Sequence, residues 1–594
     1  MTVSATRTPR RRTAVAMFAV LVMIGVFVIR LVDIQVVNAA THVADSHATD
    51  RLGVERVLPG VRGGILDSDG VALATSVVVY DAQLDPSLIF EIEDDTFRPP
   101  TVSWAEASEQ IAAIIEMDAA DIRQLVNERL AENPDSQYLP LIKSLDTDQY
   151  LRLRELNFPY LAMIPRETRV YPNGAVAGNI VGFTGIDGEG LAGMELMYEQ
   201  CLAGLDGKET FLRGANGVRI PGTERKTDPV AGGTLSLTIN SDLNWYLQQM
   251  IASEVKYQNA KSGTVVVVEV ATGKIRAAAE YPVVDPNNVD ASKPADRGSR
   301  IFTSSFEPAS TFKTMTAAMV LEETSLTPLS TTITPSSMTF PNGAEIGDYS
   351  PHPTYNYTLA GALIDSSNVA YSKFGAQVPA SVRHDYLKAF GVGEGTGINF
   401  PGEAMGLLHP ADKWDNQSIY TTTFGQYFTV TVPQVASAYQ TIANGGVRSP
   451  LRIVESCTLA DGTVIEPELR DEVRVISEQT AAELQLMLEN VASQNSLAKS
   501  IAVSGYRIAM KTGTAEKPGN DGKYKSGVYF ASMAGFAPAE DPQYVVVVTL
   551  DEPTRSITSG STASAFQKAM AQVLKTYRVL PSTGPTDKSL PKVL

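Results

Sequence analysis

Apolar residues gather first near the start of the chain, where residues 14–29 carry no charge and are mostly aliphatic. At about 1.5 Å rise per residue this run falls a little short of a hydrocarbon core about 30 Å thick. Extension to Val37, with Arg30 snorkelling, makes up the length. The pattern predicts one spanning helix over residues 13–37. Arg7, Arg10, Arg11 and Arg12 precede it and mark residues 1–12 as a cytoplasmic tail, which leaves the rest of the chain outside the cell. The competing reading is a cleaved signal peptide ending near "VVNAA". Arg30 and Asp33, between the apolar run and that site, disfavour it.

Beyond the anchor the pattern changes. In "PGVRGGILDSDGVALATSVVVYDAQLD" glycines alternate with β-branched residues, as in short strands joined by tight turns. "SWAEASEQIAAIIEMDAADIRQLVNERLAEN" has apolar residues at helical spacing and predicts a helical insertion. A mixed, extended module therefore covers 38–230. A second module, 231–579, opens with a strand feeding a helix in "GGTLSLTINSDLNWYLQQMIASEV", followed by two strand-like runs around the turn "ATGK". It closes with further strands in "GVYFASMAGFAPAEDPQYVVVVTLDEP" and an amphipathic helix from "ASAFQKAM". Strands at both ends of a helical middle predict an α+β fold whose sheet pairs early strands with late ones. Residues 580–594 read as a disordered, Pro-rich tail. Its "LPSTG" lacks the apolar and basic segments that a wall-sorting signal needs behind it.

Composition narrows the function. With 594 residues, 44% apolar and 19% charged, the chain has material for several compact units and is not wholly disordered. A net charge of -17 argues against a nucleic-acid partner. Cys201 and Cys457, far apart in sequence, are expected to be unpaired small hydrophobes. The five histidines show no metal-ligand spacing, so no metal and no cofactor is implied.

Candidate chemistry centres on Ser-x-x-Lys, which occurs four times: at Ser253, Ser310, Ser496 and Ser589. Only Ser310, in "FEPASTFKTM", follows a Pro-flanked loop and opens an apolar helix. There, free backbone N–H groups and the helix dipole favour developing negative charge. Spacing of three puts Ser310 and Lys313 on one face. For Lys313 to take the serine proton its pKa must be lowered by burial or a second cation, so another cation should converge on it. "IDSSNVAY" offers Ser366 and Asn368; "AMKTGTAEK" offers Lys511, Thr512, Gly513 and Thr514 on a strand-like run, where glycine leaves room for a substrate backbone. Singly each motif is weak, and Ser493 to Asn495 also matches Ser-x-Asn. All three in order form the serine acyl-transferase signature shared by penicillin-binding proteins and β-lactamases.

Together with "RGGILDSDGVALA", "RVYPNG", "GFTGIDGEGLAGMELMYEQCLAG" and "TTTFGQYFTVTVPQVASAYQTIANGG", these motifs resemble the class B penicillin-binding proteins over nearly the whole chain, most closely the FtsI-type cell-division transpeptidases. The resemblance implies a β-lactamase-like transpeptidase domain with an antiparallel sheet flanked by helices, behind a non-catalytic pedestal of the dimerisation type. It further implies a D-Ala-D-Ala stem-peptide substrate and β-lactam inhibitors. Ser310 would be nucleophile, Lys313 proton acceptor and Ser366 proton relay. Asn368 would hold the donor peptide, Lys511 supply the second cation, and Thr512, Gly513 and Thr514 bind substrate. The backbone N–H groups of Ser310 and Thr514 would form the oxyanion hole. Implied partners are the cell membrane, a SEDS-family glycosyltransferase of the FtsW type and other divisome proteins. Two departures stand out: Ala309 replaces the usual glycine before the nucleophile, and "DSDG" replaces a "DRNG"-like turn. Alternatives are a lateral-wall transpeptidase, a β-lactamase, a β-lactam sensor or a non-enzymatic divisome scaffold.

Overall fold

The computed structural model of the protein describes residues 8–33, 37, 53–90, 102–212, 220–519, 523–584 and 588–594. The chain divides into two compact units, one comprising Met1–Val61 with Gly204–Ala231, the other Arg62–Ala203 with Gly232–Leu594.

In the first unit, helix α1 (Thr8–Val32) contains the stretch Thr13–Val32, long and apolar enough to cross a membrane and not buried by any other described residue. Residues 34–36 of the expected anchor lie outside the described residues. The same unit holds a three-stranded antiparallel sheet of Gly53–Leu58, Gly207–Leu212 and Arg225–Thr227.

In the second unit, Ala72–Leu84 pairs with both Leu139–Leu145 and Leu161–Val170. Beside them lies the predicted helical insertion as two helices. Ser103 caps Trp104–Ile115 and Asp118 caps Ala119–Glu132, each side chain accepting a backbone N–H. Ile111, Ile115, Ile122, Val126 and Leu153 give this region a hydrophobic cluster of its own. Three of the glycine- and arginine-rich motifs meet at one buried carboxylate. Glu195, fully buried, accepts from Arg62 Nε (2.7 Å), Arg169 Nε (2.8 Å) and the Tyr171 hydroxyl (3.3 Å). Arg62 reaches on to Glu199 (2.8 Å), and Arg169 to the Gly63 carbonyl (2.7 Å). A charge buried this deeply is tolerable only when paired and hydrogen-bonded, so the segments around residues 62, 169 and 195 must meet together.

The rest of the unit is built on helix α2 (Ser241–Gln258), strands β1 (Ser262–Glu269) and β2 (Ile275–Tyr281), and helix α3 (Lys313–Glu323), preceded by a 3-10 turn at Ala309–Phe312. Helices α4 (Leu359–Ile364), α5 (Asn368–Gly375), α6 (Val432–Ala443) and α7 (Glu478–Gln494) follow. Strands β3 (Ala509–Pro518), β4 (Tyr524–Ala537) and β5 (Tyr544–Asp551) and helix α8 (Ala563–Thr576) complete it. The sheet runs β2-β1-β5-β4-β3, antiparallel throughout, with early strands paired to late ones as the sequence predicts. Val265–Val268 and Val545–Val548 are fully buried, because α2 and α8 pack on the sheet from one side and the wholly buried α6 also packs against it. Burying four consecutive valines explains their unbroken apolar run, which alternation would not produce.

Two expectations are corrected. Cys201 and Cys457 form a disulfide, with their Cα atoms 6.4 Å apart. Gly233 donates its N–H to the Cys201 carbonyl while Leu235, two residues on, pairs with Cys457, so sheet pairing rather than sequence proximity joins the cysteines. Nor is the tail disordered where it is described. Leu590 is buried, Val593 bridges to Tyr357, and Ser582 donates its N–H to the Gly505 carbonyl. Pro-rich composition lowers the tail's own propensity for structure, but an open strand edge at Tyr355–Thr358 supplies the partner. Residues 585–587 lie outside the described residues.

Removing one partner of a buried ion pair leaves the others uncompensated. Glu195→Ala is therefore expected to lower unfolding stability by about 3–5 kcal/mol in denaturant titration. The double variant Cys201→Ala, Cys457→Ala, which opens a loop of 256 residues, is expected to lose about 2–4 kcal/mol by the same measurement.

Candidate active site

Ser310 sits in the 3-10 turn that leads into α3, half-exposed at the wall of a cleft of about 820 Å³. One turn later, Lys313 is fully buried, its Nζ 3.0 Å from Ser310 Oγ. Ser366 occupies the turn between α4 and α5, where the left-handed backbone (φ 61°) points both its polar groups inward. Lys313 Nζ lies 2.6 Å from the Ser366 carbonyl, 3.2 Å from Ser366 Oγ and 2.7 Å from Asn368 Oδ1.

Counting hydrogens decides what this lysine can do. The Ser366 carbonyl and Asn368 Oδ1 can only accept. A neutral amine spends its two hydrogens there and turns its single lone pair to the Ser310 hydroxyl, which can donate. Burial disfavours the charged form most, and the positive charge of Lys511 adds to it. These outweigh the attraction of Asp348, so the Lys313 pKa falls well below the usual lysine range.

The expected second cation is present. Lys511 on β3 is buried, and its Nζ donates to Ser366 Oγ at 3.0 Å, which places that hydroxyl between two lysines. Burial brings the Lys511 pKa down to about 7. Thr512 and Thr514 line the cleft, and the Thr514 hydroxyl accepts the Ser559 N–H at 3.0 Å.

Gly513 differs from its expected role. It does not line the cleft; a Cβ there would fall 2.5 Å from Ser532 Oγ and 2.8 Å from the Pro308 carbonyl. The glycine makes room for the turn that carries Ser310. Ala309 holds φ 48°, a left-handed conformation in which glycine is unstrained.

Sequence reasoning missed the segment "GDYSPH", residues 347–352, which crosses the Ser366–Asn368 turn. Asp348 accepts from Ser367 Oγ (2.6 Å), the Val369 N–H (2.9 Å) and His352 Nε2 (2.8 Å). Asn368 Nδ2 donates to the Gly347 carbonyl, which turns Oδ1 toward Lys313. Burial alone would lower the His352 pKa, but hydrogen bonds to Asp348 and the Pro353 carbonyl raise it. An acid four residues before a histidine was the only sequence signal, and it is too common to be informative.

Residues 263–571 match the family model described as the penicillin binding protein transpeptidase domain, and residues 57–237 the penicillin-binding protein dimerisation domain. The chain belongs to the penicillin-binding protein transpeptidase family. This penicillin-binding protein is 34% identical to PbpB of Mycolicibacterium smegmatis, over 97% of its own length and 92% of the relative's. It is 31% identical to the peptidoglycan D,D-transpeptidase FtsI of Escherichia coli K12, over 88% and 84%. Among solved structures it resembles penicillin binding protein 3 of Mycobacterium tuberculosis complexed with ampicillin, with TM-score 0.70, 26% identity and coverage of 91% and 100%. A peptidoglycan synthetase of Bifidobacterium adolescentis is similar at TM-score 0.72, 28% identity and the same coverage.

With Lys313 as the expected neutral proton acceptor and Lys511 as the expected second cation, the second-order rate of acylation by a penicillin should rise with pH and then fall as Lys511 deprotonates near about 7. Lys511→Arg, whose charge persists, should move the falling limb up by about one unit or more. Stopped-flow acylation across pH 5 to 9 checks this, and a flat parental profile would contradict it.

Proposed function

We propose that this chain is a membrane-anchored peptidoglycan D,D-transpeptidase that cross-links stem peptides through an acyl-enzyme on Ser310, in septal wall synthesis during division. The observation that carries this reading is the buried Lys313 amine, 3.0 Å from the Ser310 hydroxyl and 3.2 Å from that of Ser366.

Neutral Lys313 takes the Ser310 proton as Oγ attacks the carbonyl of the penultimate D-Ala. Negative charge on the tetrahedral oxygen meets the backbone N–H groups of Ser310 and Thr514. The proton passes through Ser366 to the departing amine, the C–N bond breaks, and D-Ala leaves a Ser310 ester behind. A neighbouring stem-peptide amine attacks this ester, returning the proton to the Ser310 oxygen and forming the cross-link. Lys511, Thr512 and Thr514 hold the terminal carboxylate of the donor, and Asn368 its peptide backbone. β-Lactams present a strained cyclic amide to the same serine, and the amine released when the ring opens stays tethered to the acyl group, so it does not depart.

Support for the septal role comes from relatives bearing the FtsI name. The cluster at Arg10, Arg11 and Arg12 supports a cytoplasmic start for the single span, with the cleft on the outer side. We divide the chain into the anchor, a pedestal to residue 230 and a transpeptidase domain over 231–579. Glycan polymerisation we assign to a partner, a SEDS-family glycosyltransferase of the FtsW type, with other divisome proteins around it.

Intact-mass spectrometry of the full chain in detergent, after incubation with a penicillin, tests the reading. A persistent adduct of one antibiotic mass is expected, absent from Ser310→Ala. Rapid destruction of the antibiotic without an adduct would make the protein a β-lactamase, and neither result would leave a scaffold.

A further inference from the structure

We infer that residues 588–594 form a built-in strap that holds the Ser366–Asn368 turn in its reactive position, with Lys592 and Leu590 as positioning residues. The inference rests on the assignment of Ser366 to the transpeptidase machinery.

The strap lies along the open edge of Tyr355–Thr358, next to the helix that leads to Ser366. Thr358, the N-cap of α4, is tied to it twice: its N–H donates to the Lys592 carbonyl (3.0 Å) and its hydroxyl to the Pro591 carbonyl (2.7 Å). The same hydroxyl accepts the Gly361 N–H at 2.8 Å, so one oxygen both caps α4 and receives the strap. Gly361 is shaped to the strap as well. A Cβ there would fall 1.9 Å from the Lys592 carbonyl oxygen, although Ala would otherwise suit a helix interior better than Gly.

At the other end of α4, Lys592 Nζ meets Asp365 Oδ1 at 2.6 Å, and Asp365 Oδ2 accepts the Tyr357 hydroxyl at 3.1 Å. Asp365 immediately precedes Ser366, whose left-handed backbone aims its hydroxyl and carbonyl at Lys313. Leu590 is buried, its N–H donating to Asn490 Oδ1 (2.8 Å) and its carbonyl accepting from Gln494 Nε2 (3.0 Å). Those two residues belong to the last turns of α7, beside Val491 and Asn495 in the cleft wall. The strap thus ties together two walls of one cleft.

A helix of six residues has little stability of its own. Both of its ends are bonded to the strap, so the strap decides where α4 delivers Ser366. A displacement of about an ångström would cost the two lysine contacts on which proton transfer depends. Loss of the strap should therefore slow acylation, beyond any loss of stability.

The test measures the second-order rate of acylation of the full chain, in detergent micelles, by a fluorescent penicillin. Shortening the chain before Lys588 is expected to slow acylation about fivefold or more, and the synthetic heptapeptide KSLPKVL to restore at least half of the loss. Gly361→Ala in the full chain should slow it similarly without rescue by the peptide. In the shortened chain, where the space is vacant, Gly361→Ala should have no further effect. Lys592→Met should cost about two- to threefold and Lys592→Arg should retain the parental rate; these decide the matter should the shortened chain fail to fold. Parental rates in the shortened chain and in Lys592→Met, or a loss that the heptapeptide does not repair in a folded chain, would overturn the strap. A parental chain that is never acylated at Ser310 would instead overturn the transpeptidase reading, and the strap with it.

Discussion

A lysine amine held out of water among two hydroxyls, a carbonyl and an amide oxygen is the constraint on which the active part of this protein depends. Moving an ammonium from water into a protein interior costs several kcal/mol even after relaxation, so Lys313 gives up its proton more readily than a solvated lysine. Its surroundings then matter atom by atom. Ser366 and Asn368 occupy its donor hydrogens, which leaves the lone pair for Ser310. Lys511, from the far end of the chain, adds positive charge and shares Ser366 with it.

Beyond the local spacing of Ser310 and Lys313, what positions those groups is long-range. Antiparallel pairing of β3 with β4, and of β4 with β5 back to β1, carries Lys511 to the edge of the sheet next to the turn that holds Ser310. Gly513 lets strand and turn approach, since any larger residue would strike Ser532 or Pro308. Asp348 fixes the Ser366–Asn368 turn from one side by accepting from Ser367 and Val369. The strap binds the helix before that turn from the other. Short helices and a left-handed serine have little intrinsic preference for this arrangement, so the contacts around them supply it.

The same logic holds away from the cleft. Glu195 gathers Arg62, Arg169 and Tyr171 from three separated segments into a buried polar network. Such a network is favourable only when every partner is in place, and it therefore selects one arrangement of the chain. Cys201 and Cys457 add a covalent tie between the short helix Glu199–Leu202 and the strand Val454–Thr458.

How much of this was legible from residue order follows the range of each interaction. The apolar N-terminal helix, the helical insertion, the valine-rich strands and the closing amphipathic helix rest on local periodicity. So does the pairing of Ser310 with Lys313, three residues apart on one helix face. The order of three short motifs was enough to name the chemistry, because serine acyl transfer needs a nucleophile, a depressed lysine and a second cation. Other features were decided only by tertiary structure: the disulfide, the inward role of Gly513, the Asp348–His352 support and the docking of the tail. Each joins residues whose separation along the chain says nothing about their distance in space. The tail shows the difference most plainly. Its Pro-rich composition predicts disorder for an isolated segment, yet a strand edge, a pocket for Leu590 and a carboxylate for Lys592 wait for it elsewhere in the fold. Local sequence determines what a segment prefers alone, and the folded chain determines what it meets.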